Sequence, residues 1–322
     1  MSTQDWATLS NQAVAAATVV FALGWLAHLS EWAFGRRVDA VAPARSEPAM
    51  VAAEGYAPAV VLPAPAPPAS QRSDFFGRAG LSLTVLAFLL LLGGVFARGL
   101  AAQRVPWGNM YEFATTGLLV ATGVYLVLVR MAGVQWLGAI ITGFCVLVLG
   151  LAFLVYVPAG PLVPALHSYW LVLHVSAAAI AGGAFAVGAA ASAVYLVKSR
   201  AEQRTPLDAR RGYLWRLPSS AAMDRLAYRV NAFGFPIWTF AALIAGPIWA
   251  QYAWGRYWGW DPKEVWAFIT FVVYAGYLHA RATAGWRGRA AAVLGLVGFA
   301  TFLFNFVGIN LFGSGLHSYA GV

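Results

Sequence analysis

The chain has 322 residues, of which 61% are hydrophobic and only 10% are charged, and it combines a net charge of +9 with a single cysteine. An average soluble domain has about 25% charged and 45–50% apolar residues, so this composition excludes an ordinary soluble protein and a disordered one. One cysteine also excludes a disulfide framework and CxxC dithiol chemistry within the chain.

Long apolar runs follow one another along the sequence, and each reaches the length of about 20 residues that an α-helix needs to cross a membrane. Their length and their lack of alternating polarity exclude the strands of a membrane β-barrel. The predicted spans are 12–34, 79–97, 112–130, 134–156, 169–197, 229–251, 263–283 and 289–312. The sequence therefore predicts an all-α, polytopic integral membrane protein with about eight transmembrane helices.

The basic residues lie mostly on one side of this predicted bundle. Eight spans place both termini on one side, where only Arg98, Arg104, Arg256 and Lys263 fall among the 21 Lys and Arg. Since loops rich in Lys and Arg stay in the cytoplasm, we expect extracytoplasmic termini in a multi-pass protein of the cytoplasmic (inner) membrane. The same asymmetry explains the positive charge without nucleic acid as a partner. The strongly basic loop 198–228 is predicted to be a solvated topology signal, with a surface for anionic lipid or a partner as the alternative.

The spans divide the chain into three parts. Residues 1–35 form an N-terminal transmembrane helix, and residues 36–78 are rich in Ala and Pro, with PAPAPP at 63–68. Such a segment cannot bury a core, so we predict a flexible cytoplasmic linker. Residues 79–322 form the membrane domain, which includes an external Trp-rich loop at 249–266.

The loop at 249–266 contains five Trp and two Tyr within 18 residues. Interfacial aromatic belts account for one or two such residues at a helix end, but not for a run this dense with interleaved Gly and Arg. A dense aromatic platform suits a large, flat, apolar ligand, whose acidic edge Arg256 can hold. On chemistry alone, a planar cofactor and an unusually rich aromatic belt both stay open.

Histidines are candidate metal ligands, although a lone histidine in a span is more often a packed, hydrogen-bonded core residue. His174 at the outer end of span 5 and His317 beyond span 8 fall on the same side as the Trp-rich loop. His28 and His279 each lie about 15 residues into a span that enters from outside, at a depth of about 22 Å. We hypothesise that His28 and His279 form an internal bis-His site, with core packing of His28 as the alternative.

The segment WGRYWGWDPKEVWAFITFVVYAGYLHAR (254–281) closely resembles the Trp-rich "WWD" domain of haem-handling cytochrome c biogenesis proteins. The similarity extends to GFPIWTFAALIAGPIWAQYAWG before it, to FNFVGINLFGSGLHSY (304–319) after it and to RVPWGNMYEF at 104–113. Together with the number of spans and the chain length, these motifs resemble the CcsA/ResC-type family, a subunit of system II cytochrome c synthase. The similarity runs from about residue 79 to the end.

This resemblance implies that the protein handles haem b (iron protoporphyrin IX). His174 and His317 match the family's two external histidines, and His279 matches its transmembrane histidine. In the family the second inner ligand can come from a CcsB/ResB-like partner, which is the alternative to His28. The candidate residues for binding the cofactor are His174, His317, His279, His28, Trp254, Arg256, Tyr257, Trp258, Trp260 and Asp261.

The resemblance also implies a function in cytochrome c biogenesis. Haem would be conveyed across the membrane and presented at the external platform, where apocytochrome c attaches it through the thiols of a CXXCH motif. The chain would then be the haem-presenting subunit of a cytochrome c synthase (haem lyase) complex. Its partners would be the CcsB/ResB-like subunit, apocytochrome c and a thiol-reducing thioredoxin-like protein. No nucleophile or base constellation is found, so we predict positioning of the cofactor and no catalytic side chain. The competing interpretation is a haem-b electron-transfer protein that oxidises quinol.

Overall fold

The computed structural model describes residues 1–35, 71–161, 166–210, 212–313 and 315–317. Most of the predicted linker at 36–78 lies outside the described residues, but its last part, 71–78, already belongs to a helix. The helices are α1 (Thr3–Gly35), α2 (Gln71–Ala102), α3 (Met110–Ala132), α4 (Gly138–Leu154), α5 (Tyr169–Arg204), α6 (Tyr213–Arg216), α7 (Ser220–Phe240), α8 (Gly246–Trp254), α9 (Pro262–Ala282), α10 (Arg289–Leu303) and α11 (Ile309–Phe312). The described part of the chain thus confirms the predicted all-α fold.

Seven helical segments of the described chain are long and apolar enough to cross a membrane. The eighth predicted span, 263–283, corresponds to α9, which has 21 residues but is not among the seven. Polar residues such as Tyr274, His279 and Arg281 lower its hydropathy. Nevertheless α9 runs the length of the bundle, because α10 packs against it and leads back to His317, which contacts Asp261 at the start of α9. The predicted orientation of the termini stays a prediction.

Helix α5 forms the centre of the bundle. It packs against α3, α7 and α10, and its buried face consists mostly of Ala and Gly. Small residues let neighbouring helices approach closely, as membrane helices do in the absence of a strong hydrophobic driving force. At Gly183, an added Cβ would lie 2.9 Å from the backbone of Ala121 on α3, so the two helices touch backbone to backbone.

One end of the bundle carries the Trp-rich loop together with His174 and His317. The first turns of α3, α5 and α9, the end of α8 and residues 315–317 all meet there. The opposite end carries the start of α7, the turn between α9 and α10 and the ion pair between Arg281 and Asp224. We call the first of these the Trp-rich end of the protein.

Candidate functional site

His174 lies in the second turn of α5, at the Trp-rich end, and a neighbouring helical segment holds its ring. Its Nδ1 lies 2.8 Å from the carbonyl oxygen of Ala241. Since a carbonyl only accepts hydrogen bonds, Nδ1 carries the hydrogen and Nε2 carries the lone pair. Hydrogen bonds of this kind orient imidazoles that ligate metals through their other nitrogen.

The carbonyl that holds His174 belongs to a π-helical turn, Ala241–Ala245, which joins α7 to α8. The N–H of Gly246 donates to this same carbonyl, as expected for a π-turn. A Cβ at Gly246 would lie 3.1 Å from the Ala241 oxygen and 3.2 Å from two ring atoms of His174. Glycine therefore allows the imidazole to approach the turn, and π-turns are frequent at functional sites.

His317 lies beyond α11 and is held by the start of α9. Its Nδ1 lies 2.8 Å from Oδ1 of Asp261. The other carboxylate oxygen of Asp261 accepts from the N–H of Leu316, and Oδ1 also accepts from the N–H of Lys263. Asp261 is at the same time the N-cap of α9, in a capping box with Glu264. One carboxylate therefore starts α9 and positions the C-terminal histidine.

The protonation of this pair favours a neutral imidazole beside an ionised carboxylate. Burial lowers the pKa of His317 below its ordinary value of 6.5, although the hydrogen bond to Asp261 raises it. Burial alone would raise the pKa of Asp261, but its hydrogen bonds from His317, Leu316 and Lys263 outweigh that effect and lower the pKa below 3.8. With Nδ1–H donated to the carboxylate, the lone pair of His317 is on Nε2.

Two indoles lie against the imidazoles. The rings of Trp249 and His174 are nearly parallel, at 11° with centroids 5.9 Å apart. Trp249 also contacts His317, with centroids 5.6 Å apart, and Trp254 packs on the edge of His317 at 4.8 Å. The two indoles are themselves 4.8 Å apart in an edge-on arrangement. Trp249 is therefore the side chain that links the two histidines.

Both histidines line one cavity, whose volume is about 110 Å³. Its wall is mainly aromatic and apolar, with a few polar groups from the start of α9, from the π-helical turn Phe304–Gly308 after α10, and from α11. Among the lining residues are His174, His317, Trp238, Trp249, Trp254, Trp258, Lys263, Glu264, Asn305 and Asn310. An aromatic cavity with few convergent polar groups is typical of a site for an apolar cofactor.

The remaining predicted residues of the Trp-rich loop lie at the rim of this cavity. Trp258 lines the cavity and packs edge-on against Trp260, which is 67% exposed. Tyr257 is 60% exposed, and Arg256 is exposed with its guanidinium directly against Gly259. The structure thus divides the predicted platform into an inner indole pair, with Trp249 buried and Trp254 partly buried, and an exposed aromatic rim.

The motif at 104–113 contributes a buried charge cluster behind the site. Glu112 is fully buried and accepts from Arg98 at 2.9 Å, from Arg104 at 2.7 Å and from the N–H of Gly108 at 2.7 Å. The two arginines also donate to backbone carbonyls of the loop after α4. Because the next residue after Glu112, Phe113, lines the cavity, this cluster fixes one wall of the site.

The structure does not bring His28 and His279 together. His28 is 1% exposed in α1, where its Nδ1 lies 3.4 Å from Glu31. A Cβ at Gly80 or Gly138 would lie within 2.9 Å of its ring, so helices α2 and α4 enclose the imidazole. His279 instead lies exposed on α9, which packs against α7 and α10. The internal pairing of these two histidines stays a prediction that their surroundings do not favour.

Sequence reasoning missed Trp249 as a site residue and the way in which Asp261 acts. Trp249 stood in the Trp-rich segment, but nothing in its spacing separated a buried indole from exposed ones. The sequence predicts Asp261 as a cofactor-binding residue, and the structure shows that its carboxylate holds His317 and caps α9. A signal for Asp261 lay in the acidic residue before Pro262, which is typical of a helix start.

Comparison with known proteins places this geometry in context. The family model described as "Cytochrome C assembly protein" matches residues 107–317. A relative named "Cytochrome c biogenesis protein CcsA" from Synechococcus elongatus is 37% identical over 291 residues, which covers 76% of this chain and 86% of the relative. The protein of the same name from Guillardia theta is 35% identical over 259 residues, with 74% and 85% covered.

Among solved structures, "Cytochrome c Heme Lyase CcmF" matches with a TM-score of 0.61 and 18% sequence identity. The match covers 97% of this chain and 50% of that one, so this chain spans half the length of that structure. At this level of identity the likeness shows a shared fold, and it extends over nearly all of the membrane bundle.

Proposed function

Since the chain belongs to the cytochrome c assembly protein family and functions in cytochrome c biogenesis, we propose that it binds haem b at the Trp-rich end and presents it to apocytochrome c. The observation that carries this proposal is the convergence of two histidines on one aromatic cavity. His174 and His317 come from separate elements, and both have Nδ1 held by an acceptor. This donor set suits a haem iron, which takes axial imidazoles through the nitrogen that bears the lone pair.

The contrast between the inner indoles, which contact the imidazoles, and the exposed rim supports presentation of the ligand in addition to binding. Trp249 and Trp254 contact the imidazoles, while Tyr257 and Trp260 face outward. Arg256 at the rim can pair with a propionate, since guanidinium groups bind carboxylates well. A porphyrin held between these two zones keeps its apolar face against the indoles and an edge open to a protein substrate.

Attachment requires no catalytic side chain from this protein. Each cysteine thiol of apocytochrome c adds its S–H across a vinyl C=C of the haem, which forms one thioether and releases no leaving group. The role of this chain is to hold the iron and the ring so that a vinyl edge meets the thiols, which is catalysis by positioning. Thiols must be reduced for this step, and we assign their reduction to a thioredoxin-like partner.

Binding of a macrocycle requires the site to open. The cavity of about 110 Å³ is well below the roughly 300–1,000 Å³ of pockets that hold drug-sized ligands. We infer that Trp249 moves when haem binds, because its indole contacts both imidazoles.

For the inner haem we propose that His279 pairs with a histidine of a CcsB/ResB-like partner. His279 lies on an outward face of α9 together with the exposed Phe268 and Val272, and nothing lies within 4 Å of a Cβ at Gly276. An ionisable group on an outward face of a membrane helix calls for a partner, because lipid cannot solvate it. We do not assign His28 to this site, since Gly80 and Gly138 enclose its ring.

The test uses His174→Ala and His317→Ala in the full chain, co-expressed with the partner subunit and a CXXCH reporter secreted across the inner membrane. Each variant should lose covalent haem on the reporter and haem in the purified protein. The matched control is His167→Ala, an exposed histidine next to α5 that does not line the cavity. Normal reporter maturation in both variants would refute the site. If the wild-type protein retains haem but the reporter receives no covalent haem, the result would favour the alternative, a haem-b protein that oxidises quinol.

A further inference from the structure

A larger cavity lies far from the Trp-rich end. It is a groove of about 990 Å³ between α3 and α7, whose floor includes Ile180 of α5. Both helices pack against α5, which leaves a gap between them. Its walls are apolar, and Val127, Met131 and Phe233 are more than half exposed there. This volume lies at the upper end of the roughly 300–1,000 Å³ of known ligand pockets.

Two arginines mark one wall of this groove. Arg225 and Arg229 lie one turn apart on the same face of α7, and both are exposed. Within the described residues neither forms an ion pair or hydrogen bond, whereas Arg281 at the same end makes a bidentate pair with Asp224. Two like charges at this spacing repel each other, so a bound anion stabilises the pair.

We propose that this groove binds an anionic phospholipid. Its acyl chains lie along the apolar walls, and its phosphate lies between Arg225 and Arg229. The position along the bundle agrees with this ligand, because the groove is formed by the C-terminal half of α3 and the first turns of α7. The sequence predicts that this end faces the cytoplasm, where the leaflet is anionic and basic pockets between helices bind lipid head groups.

The groove and the haem site share no lining residue, so this inference is independent of the proposed function. The proposal also assigns a ligand to the basic surface that the loop before α7 and the first turns of α7 form. A neutral lipid would fill the groove but leave the arginines without a counter-ion. A free phosphate would pair with the arginines but leave the apolar walls uncovered.

The experiment uses the full chain purified in a neutral detergent and titrated with phosphatidylglycerol or with phosphatidylcholine of the same acyl chains. Native mass spectrometry counts the bound lipids, and the thermal midpoint reports binding independently. We expect preferential binding of phosphatidylglycerol, weakened roughly ten- to thirty-fold in R225Q/R229Q. The control R287Q/R289Q removes two exposed arginines, one in the turn before α10 and one at the first residue of α10, and should leave binding unchanged.

Two further arms distinguish the groove from a simple surface charge. Val127→Trp fills the groove from an exposed wall position and should weaken phosphatidylglycerol binding without changing either arginine. Inorganic phosphate at the same concentration should not raise the thermal midpoint. Equal binding of both lipids, retention of the preference in R225Q/R229Q, or full stabilisation by inorganic phosphate would each overturn the proposal.

Discussion

The protein places histidines among packed helices at two sites, partly buried at the Trp-rich end and fully buried in α1, and the surroundings of the rings differ. At the Trp-rich end, His174 and His317 are held through Nδ1 and border an aromatic cavity. In the other half of the bundle, His28 also faces an acceptor, Glu31, but is enclosed by Gly80 and Gly138. A partner for Nδ1 is common to both sites, so this contact alone does not identify a ligand. The difference is that His174 and His317 line a cavity, whereas Nε2 of His28 is buried between packed helices.

Of the substitutions considered, loss of Asp261 should have the largest effect on the site at the Trp-rich end. Asp261→Ala removes the acceptor of His317 and the cap of α9 together. Since residues that support metal ligands typically contribute 10–100-fold, we expect at least about a ten-fold loss of haem content and of reporter maturation. Asp261→Asn, which still accepts a hydrogen bond and caps a helix, should lose less.

The control for this prediction is Asp224→Asn, which breaks an ion pair at the opposite end of the bundle. It should lower stability but leave the haem spectrum of the folded protein unchanged. Equal haem content in Asp261→Ala and the wild type would mean that His317 is not positioned by this carboxylate.

Gly246→Ala tests the π-turn that holds His174. The new Cβ would crowd both the Ala241 carbonyl and the imidazole at 3.1–3.2 Å, so the ring must shift. A misplaced His174 imidazole should lower haem content roughly ten-fold and alter the absorption spectrum of the bound haem. In Gly93→Ala on α2 a Cβ meets nothing within 4 Å, and this matched variant should bind haem normally. An unchanged spectrum in Gly246→Ala would show that the turn tolerates the methyl group.

Gly138→Ala tests the packing around His28. Its Cβ would overlap the His28 ring, so we expect a loss of stability of about 1–3 kcal/mol, seen as a lower thermal midpoint. Gly150→Ala in the same helix meets open space and should be neutral or slightly stabilising. His28→Ala should leave the haem bound per folded protein unchanged. Loss of inner haem in His28→Ala would break the comparison, because an enclosed histidine would then act as a ligand.

The smallest expected effect is a pH dependence of stability at His317. In the unfolded chain this histidine takes up a proton near pH 6.5, but in the folded protein it does so only at lower pH, because burial lowers its pKa. Between these values the unfolded state binds more protons, so stability falls as the pH decreases. Thermal unfolding of the wild type and His317→Gln between pH 7.5 and 5 should therefore converge on acidification. A constant difference between the two proteins would contradict the assignment of a neutral imidazole.

The features predicted from sequence were those carried by local pattern. Apolar runs predicted the helices, because each span must satisfy its own backbone hydrogen bonds in lipid. The dense run of Trp and the flanking motifs predicted which end carries the site. The placement of His174 and His317 at that end followed from counting spans, and the structure brings both to one cavity.

What tertiary structure decided was contact between distant segments. Sequence placed His28 and His279 at equal depth, but depth says nothing about position around the bundle, and the two lie in different surroundings. The link from Asp261 to His317 spans 56 positions, and that from His174 to Ala241 spans 67. Hydropathy and spacing report which residues enter the membrane and which share a helix face. Only packing decides that the His28 ring is enclosed at Gly80 and Gly138, whereas His174 and His317 border a cavity.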